Sequence, residues 1–431
     1  MPEKLTQQAA ENAGGGPGDS PAMVRHGEWL PLALSGGYFF CVLAGYYCVR
    51  SVRESMGVEG GWDRLAWLMT ATLAAMFLAN PAFAAVVSRF PRRVFIPATY
   101  RFFAANMLVF AGLFVVVDEQ SRLWLGYAFY VWLSVFNLFV ISVFWAYMND
   151  VWSPEQSKRV FGPIGVGGTL GAVCGSFLAA RLVEHLGPTG MMLLACCFLE
   201  GAVWLARGVR ERHGGAGVVS AEPGPRVWEG LRLISRSPYL ALICAVLLAF
   251  TLTSTFLYME QGRIVSQSVE GRDARASAFA HIDLYANLGT LLVQAFVTSR
   301  LVKRLGLGWT LAILPLLTLA GFVALWAVPT LGVLTIFQAV RRSTEYAVGR
   351  PAREMLFARL GPEEKYKSKP FIDTFVYRGG DAVGAWVPKL LAQAGVAVGF
   401  VAIPVAAAWA VVALTLGKME RKARPGEATT E

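Results

Sequence analysis

Apolar residues in this chain come in long stretches of similar length, separated by short polar connections. A helix needs roughly 20 such residues to cross a hydrocarbon layer about 30 Å thick. Twelve stretches approach that length, near residues 30–52, 63–88, 94–117, 123–149, 158–183, 189–206, 238–260, 275–300, 308–327, 330–349, 370–392 and 396–417. Backbone amides and carbonyls find no partner in hydrocarbon, so such stretches read as helices that satisfy their own hydrogen bonds. The pattern predicts an all-α membrane protein with twelve transmembrane helices.

Composition agrees, with 55% hydrophobic, 12% aromatic and 16% charged residues in 431. The first residues are polar and glycine-rich, without a basic start and apolar run, so 1–27 is expected to be a disordered tail with no cleavable signal. Lys and Arg crowd the connections after even-numbered stretches, among them Arg89, Arg92, Arg93, Lys158, Arg159, Arg300, Lys303 and Arg304. By the positive-inside rule both termini and the arginine-rich segment 207–237 face the cytoplasm, in the inner membrane of a bacterium. The net charge of +10 is therefore topogenic, and no nucleic-acid partner is expected. Six cysteines lie inside apolar stretches without CxxC spacing, and the four histidines are scattered. Disulfide, zinc and triad chemistry are disfavoured, and no enzyme activity, metal or cofactor is expected.

The chain also repeats itself. "VEGGWDR" at Val58 returns as "VEGRDAR" at Val269, a shift of 211 that also carries Ser88 and Arg89 onto Ser299 and Arg300. "SPEQSKRVFGPIGVGG" matches "GPEEKYKSKPFIDTFVYRGG" more loosely. Two six-helix halves are inferred, 28–206 and 238–417, with a cytoplasmic linker at 207–237 and a tail at 418–431. Parallel six-helix repeats with both termini inside resemble the major facilitator architecture, in which substrate sits near the midplane between the halves.

Charges inside the stretches point inward, because an ionised group at the bilayer centre costs about 2.5 to 3.5 kcal/mol on insertion scales. Arg50, Arg53 and Glu54 fall at i, i+3 and i+4 and share a helical face with net positive charge. Glu200 has apolar neighbours, with Arg207 two turns below it. His281 lines up with Tyr285, and Asp283 with Asn287. Arg341 lines up with Glu345, and Arg350 with Glu354. The charged run from Gly361 to Lys369 is expected to be a solvated connection. A helix follows with Asp373 aligned to Tyr377, Arg378 three residues before Asp381, and a Gly379-Gly380 pair suited to close approach. "GPIGVGGTLGAVCG" spaces its glycines for helix packing and lacks the GxxxxGK[ST] of a nucleotide-hydrolysing loop.

"NDVWSPEQSKRVFGPIGVGGTLGAVCGS" resembles a segment of the ATP/ADP antiporters of plastids and obligate intracellular bacteria, where an acidic residue precedes Ala-Lys-Arg-Phe and a glycine-rich helix. "REMLFARLGPEEKYKSKPFIDTFVYRGGD" and "YYCVRSVRES" resemble their shorter bacterial relatives within the major facilitator superfamily. The resemblance implies that Arg53-Glu54 occupies the place of a Lys-Asp pair thought to contact nucleotide phosphate, and that Lys158 matches the lysine of the fifth-helix motif. Arginine binds phosphate bidentately where lysine acts as a point charge.

The expected protein is a monomeric alternating-access exchanger of a small anion, with nucleotide as leading substrate and lipid as its other partner. Expected substrate residues are Arg50, Arg53, Glu54, Lys158, Arg159, Arg378 and Asp381; expected coupling or gating residues are Glu200, Asp283 and Glu345. A proton-coupled carrier of another solute is the alternative within this fold, and a non-transporting scaffold the alternative outside it.

Overall fold

Helix α1, Trp29–Val58, is 30 residues long and so spans about 45 Å. Its two ends, marked by Glu28 and Glu59, define the two ends of the molecule. The computed structural model describes residues 28–89, 92–213, 227–296, 298–357, 368, 372 and 376–422. From α1 the chain continues through α2 (Leu65–Arg89), α3 (Arg92–Val116) and α4 (Glu119–Val151). The segment Pro154–His213 is broken at Gly187, with φ 62° and ψ −175°, into α5 (154–186) and α6 (188–213). Unbroken, 60 helical residues would run about 90 Å, three times the thickness of a hydrocarbon core. A left-handed φ favours glycine, and Pro188 then starts α6 with its fixed φ.

Past the short amphipathic α7 (Val227–Arg236), the second half of the chain builds α8 (Pro238–Ser268) and α9 (Arg272–Phe296). Thr298–Ala327 breaks at Gly306, φ 70°, and its longer limb is α10 (307–327). Helix α11 (Leu331–Thr344) passes through a π turn, Glu345–Gly349, into α12 (Arg350–Phe357), and α13 (Tyr377–Gln393) and α14 (Gly399–Lys422) complete the bundle. Among the described residues, four helices start on side-chain caps: Asp118 accepts from the Ser121 amide, Ser237 from Leu240 and Thr330 from Val333, each at 3.4 Å, and Ser153 from Gln156 at 3.3 Å. The hydrogen bond with Ser121 holds the Asp118 carboxyl below its ordinary pKa.

Among the described residues, seven helices are long and apolar enough to cross a membrane, one of them the broken segment that contains α5 and α6. The shorter α11 and α13, with 14 and 17 residues, carry Arg341 and the pair Arg378 and Asp381 picked out from the sequence. Side chains of Arg89, Arg92, Arg93, Arg300, Lys303 and Arg304 lie outside the described residues, as does the charged run except Ser368.

Helix α5 is pressed against α1 with almost nothing between them. A Cβ built on Gly167, Gly171 or Gly175 would run into the α1 backbone at Gly36, Phe40 and Ala44. The i, i+4 spacing of these glycines keeps one bare face along the contact, and the Cys48 thiol donates to the Gly175 carbonyl across it at 3.8 Å. On the opposite side of the same helix, Gly162 and Gly165 face open space. Of the pair near the C-terminus, Gly380 packs against Thr251 of α8, while Gly379 meets nothing.

Three apolar clusters divide the interior. One gathers α1, α3, α4, α5 and α6 with Ala276 and Ala280 of α9, and another gathers α8, α10, α12 and α14. The third joins both halves of the chain, bringing Val58, Leu65 and Tyr130 against Phe256, Leu257 and Phe279, and it lies toward the Glu59 end. At that end Arg272 is ion-paired to Glu59 and, at 3.1 Å, to Glu119, and the Trp386 indole donates to Thr70 at 3.1 Å.

If the bare glycine face sets the α1–α5 distance, Gly171→Ala should destabilise by about 1 to 3 kcal/mol through overpacking. Gly165→Ala should be neutral. Thermal unfolding of both purified variants in detergent, followed by tryptophan fluorescence, checks this; equal midpoints would remove the seam from the account.

Candidate functional site

The arginines of α1 sit where the third apolar cluster gives way to open volume. A cavity of about 300 Å³ is lined by Tyr46, Arg50, Arg53 and Glu54 of α1, Thr72 of α2, Tyr130 and Asn137 of α4, Thr255 and Tyr258 of α8, and Arg378 and Asp381 of α13. It therefore lies between the two halves of the chain. A second cavity, about 400 Å³, lies beside Trp62, Phe322 and Trp326. Its charges, Glu260 and Arg263, neutralise each other on one face of α8, so it offers no net charge to a ligand.

The two arginines of α1 in the central cavity are each held from more than one side. The Arg53 guanidinium donates to Glu54 Oε1 at 2.8 Å and to the Tyr130 carbonyl at 3.2 Å, and its carbon lies 3.9 Å from the Tyr130 ring centroid. Glu54, 3% exposed, accepts from the Tyr258 hydroxyl at 2.5 Å, and that hydroxyl lies 2.6 Å from Tyr130 Oη. A chain of hydrogen bonds thus crosses from α1 to α8. Arg50 donates to Asp283 Oδ1 of α9 at 2.7 Å, and Arg342 of α11 donates to the same oxygen at 2.5 Å. Arg50 also lies 3.8 Å from Glu54.

Counting Arg50, Arg53, Arg342 and Arg378 against Glu54, Asp283 and Asp381 leaves one positive charge in excess. Asp381 accepts from Thr255 at 3.2 Å, and no ion pair joins it to Arg378 among the described residues. Two buried polar atoms on the wall, Thr72 Oγ1 and Asn137 Oδ1, have no hydrogen-bond partner among the described residues. The site can offer guanidinium groups, aromatic faces and unmade hydrogen bonds to an anion with a polar body.

The structure brings together Arg50, Arg53, Glu54, Arg378 and Asp381, with Asp283 immediately behind Arg50. It does not bring in Arg159, Glu200 or Glu345. Arg159 is paired with Glu28 at 2.9 Å at the far end of α1, and Glu200 is bonded to Arg101 of α3 on the outer surface, with side chains 41% and 48% exposed. Asp373 and the Lys158 side chain lie outside the described residues. Glu345 pairs with Arg353, and at 3.9 Å with Arg350, rather than with Arg341. The π turn sets the partners that follow it: the Arg350 amide bonds to the Glu345 carbonyl, so five residues rather than four complete that turn, while the Glu345 amide still closes an ordinary α turn on the Arg341 carbonyl. Gly349 leaves room for the Glu345 carboxylate where a Cβ would collide with it. Arg341, 4% exposed, instead donates to Ser254 at 2.7 Å and Thr318 at 3.2 Å. Tyr130, Tyr258, Arg342 and Asn137 were not singled out from sequence; only Arg342, beside Arg341 in "VRRSTE", carried a signal there.

With this geometry in place, comparison with known proteins gives consistent matches. Residues 37–340 match the family model described as Major Facilitator Superfamily. The chain is 21% identical over 312 residues to ADP,ATP carrier protein 1 of Chlamydia pneumoniae, covering 62% of this chain and 61% of that protein. It is 20% identical over 345 residues to ADP,ATP carrier protein 2, chloroplastic, of Arabidopsis thaliana, covering 68% and 54%. The chain thus spans about three fifths of the length of these curated relatives. Among solved structures, an auto-inhibited POT family peptide transporter superposes with a TM-score of 0.62 at 14% identity, over 93% of this chain and 99% of that one. The nucleoside transporter NupG does so with 0.57 at 12%, over 91% and 98%.

Because Glu54 is buried, removing its nearer cation should cost more than removing both charges of that pair. Arg53→Met should lower stability by about 3 to 5 kcal/mol, and Arg53→Met combined with Glu54→Gln should recover at least half of that. Chemical unfolding of the two variants checks it, and a double variant no better than the single one would show that the pair is not coupled.

Proposed function

The chain belongs to the major facilitator superfamily, and from that premise we propose that it is a secondary-active exchanger of small anions, with nucleotides of the ATP/ADP type as leading substrates. The observation that carries the reading is the excess of guanidinium over carboxylate in a cavity built from both halves. A buried excess cation is costly unless a counter-anion enters with each cycle. Likeness to the ADP,ATP carriers of Chlamydia pneumoniae and Arabidopsis thaliana adds the nucleotide as the first anion to try.

In this reading α1 to α6 form one six-helix repeat, and α8 to α10, α11 with α12, α13 and α14 form the other. The arginine-bearing Glu28 end faces the cytoplasm of a bacterium. The apolar cluster and ion pairs at the Glu59 end then close the outward side, and substrate reaches the cavity from within. Phosphate oxygens meet Arg50 and Arg53 bidentately, while Tyr46, Tyr130 and Tyr258 supply rings for the rest of the molecule. A nucleotide larger than the enclosed 300 Å³ extends from the cavity toward the Glu28 end. Rocking of the halves alternates access, and the inner membrane is the site of action.

A proton-coupled carrier is the second reading, because Asp381 lies in the cavity with a hydroxyl rather than a cation as its nearest partner. A pH gradient would then drive uptake without counter-substrate, and Asp381→Asn would uncouple it. A scaffold has no use for a polar central cavity.

Proteoliposomes preloaded with ADP should take up labelled ATP, and Arg53→Ala should weaken uptake at least tenfold while Arg53→Lys retains part of it. Exchange of ATP⁴⁻ for ADP³⁻ moves one charge, worth about 2.3 kcal/mol per 100 mV, so a potassium-diffusion potential should bias the exchanged pair roughly fiftyfold. Homoexchange of ADP should not respond. Full-rate uptake into empty vesicles, indifferent to voltage and pH, would replace exchange by facilitated diffusion.

A further inference from the structure

We propose that Asp283 is the residue that makes exchange obligatory, by tying the two halves together whenever the cavity is empty. The inference rests on the exchanger reading and assigns a part of its mechanism to one carboxylate.

Three placements carry it. Asp283 is 3% exposed on α9 and does not line the cavity. One of its oxygens, Oδ1, accepts from both Arg50 of α1 and Arg342 of α11, so a single atom links the first half of the chain to the second. Arg50 does line the cavity. An anion entering there therefore meets a guanidinium whose other side is bound to Asp283. Of its five N–H donors, one is used on Asp283 and another points toward Glu54 at 3.8 Å. The remaining ones have no acceptor among the described residues and can take an incoming oxyanion.

The sharing of Asp283 decides what happens next. If α1 moved away from α9 in the empty state, Arg50 would be left to share the single Glu54 carboxylate with Arg53 inside a low-dielectric bundle, and the motion would be suppressed. When an anion occupies Arg50 the cation keeps a partner as it moves. Asp283 keeps one too, because Arg342 belongs to its own half. The substrate thus exchanges one ion pair for another, and the halves separate with every charge still compensated. Arg342 is a positioning residue in this scheme: it keeps Asp283 paired after Arg50 leaves.

The measurement is a ratio within one preparation, which cancels differences in the amount of folded protein. The full chain is reconstituted in proteoliposomes loaded with labelled ADP, ATP or inorganic phosphate. Efflux is recorded into buffer without substrate and into buffer containing the same anion unlabelled. Wild type should show exchange faster than net efflux by about a hundredfold, the scale set by leaving a buried cation unpaired. Asp283→Asn, which keeps the shape and loses the charge, should bring that ratio to about tenfold or below by raising net efflux. Asp283→Glu should keep the ratio near the wild-type value.

An Asp283→Asn carrier that exchanges as strictly as wild type overturns the proposal. If that variant is silent in both modes, Arg342→Gln decides. Asp283 would then be held by Arg50 alone, so exchange should slow about tenfold with the ratio preserved, whereas a raised net efflux contradicts the scheme. A wild-type protein that moves none of the three anions, or moves them without stimulation by counter-substrate, defeats the exchanger reading itself. A strictly exchanging wild type with an equally strict Asp283→Asn defeats only the role given to Asp283.

Discussion

A guanidinium group cannot be left alone in a low-dielectric interior, and this requirement fixes where the helices of the central bundle stand. Arg50 and Arg342 meet at Asp283, Arg53 rests on Glu54 and the Tyr130 ring, and Arg353 is paired to Glu345 with the Phe250 ring 4.4 Å away. Arg341 lies near the same ring, at 5.4 Å, and is otherwise satisfied by two hydroxyls. Most of these partners sit on different helices. A buried ion pair adds little net stability compared with an apolar substitute, but breaking it is severe, so such pairs select one arrangement of the bundle over its neighbours.

What could be read from the sequence follows the range of the forces involved. Long apolar stretches report the solvent directly, and the expected boundaries at 63–88 and 123–149 differ by only a few residues from Leu65–Arg89 and Glu119–Val151. Residues on one helical face were also legible, which is why Arg50, Arg53 and Glu54 were picked out together. Cross-helix partners were not. Nothing along the chain says that Tyr258 reaches Glu54, 204 residues away, or that Glu200 turns outward to Arg101. Those depend on how helices rotate about their axes in the bundle, which short-range periodicity does not determine.

The two faces of α5 show the same division between local and long-range information. Glycines at 162 and 165 belong to the same run as those at 167, 171 and 175, yet only the second group touches α1. Composition flagged the whole run for packing. Only the assembled bundle distinguishes the glycines that are sterically required from those that are not. Tight backbone contact there holds α1, and with it Arg50 and Arg53, in fixed relation to α5, while the same helix meets α9 through Asp283 and α8 through Tyr258. The site is thus anchored firmly on one side and joined by replaceable polar contacts on the other.

The π turn at Glu345–Gly349 can be viewed as an insertion event preserved in the backbone. One residue added to an α-helix that keeps running rotates everything after it by about 100° relative to everything before. Without the added residue the same side chains would remain, but Arg350 and Arg353 would be turned away from Glu345 toward a different neighbour. An ancestral chain could therefore have acquired a new set of charge partners in one step, with no substitution at any of the arginines. Aligning this helix with relatives residue by residue, without a gap at 345–349, would pair positions that point in different directions.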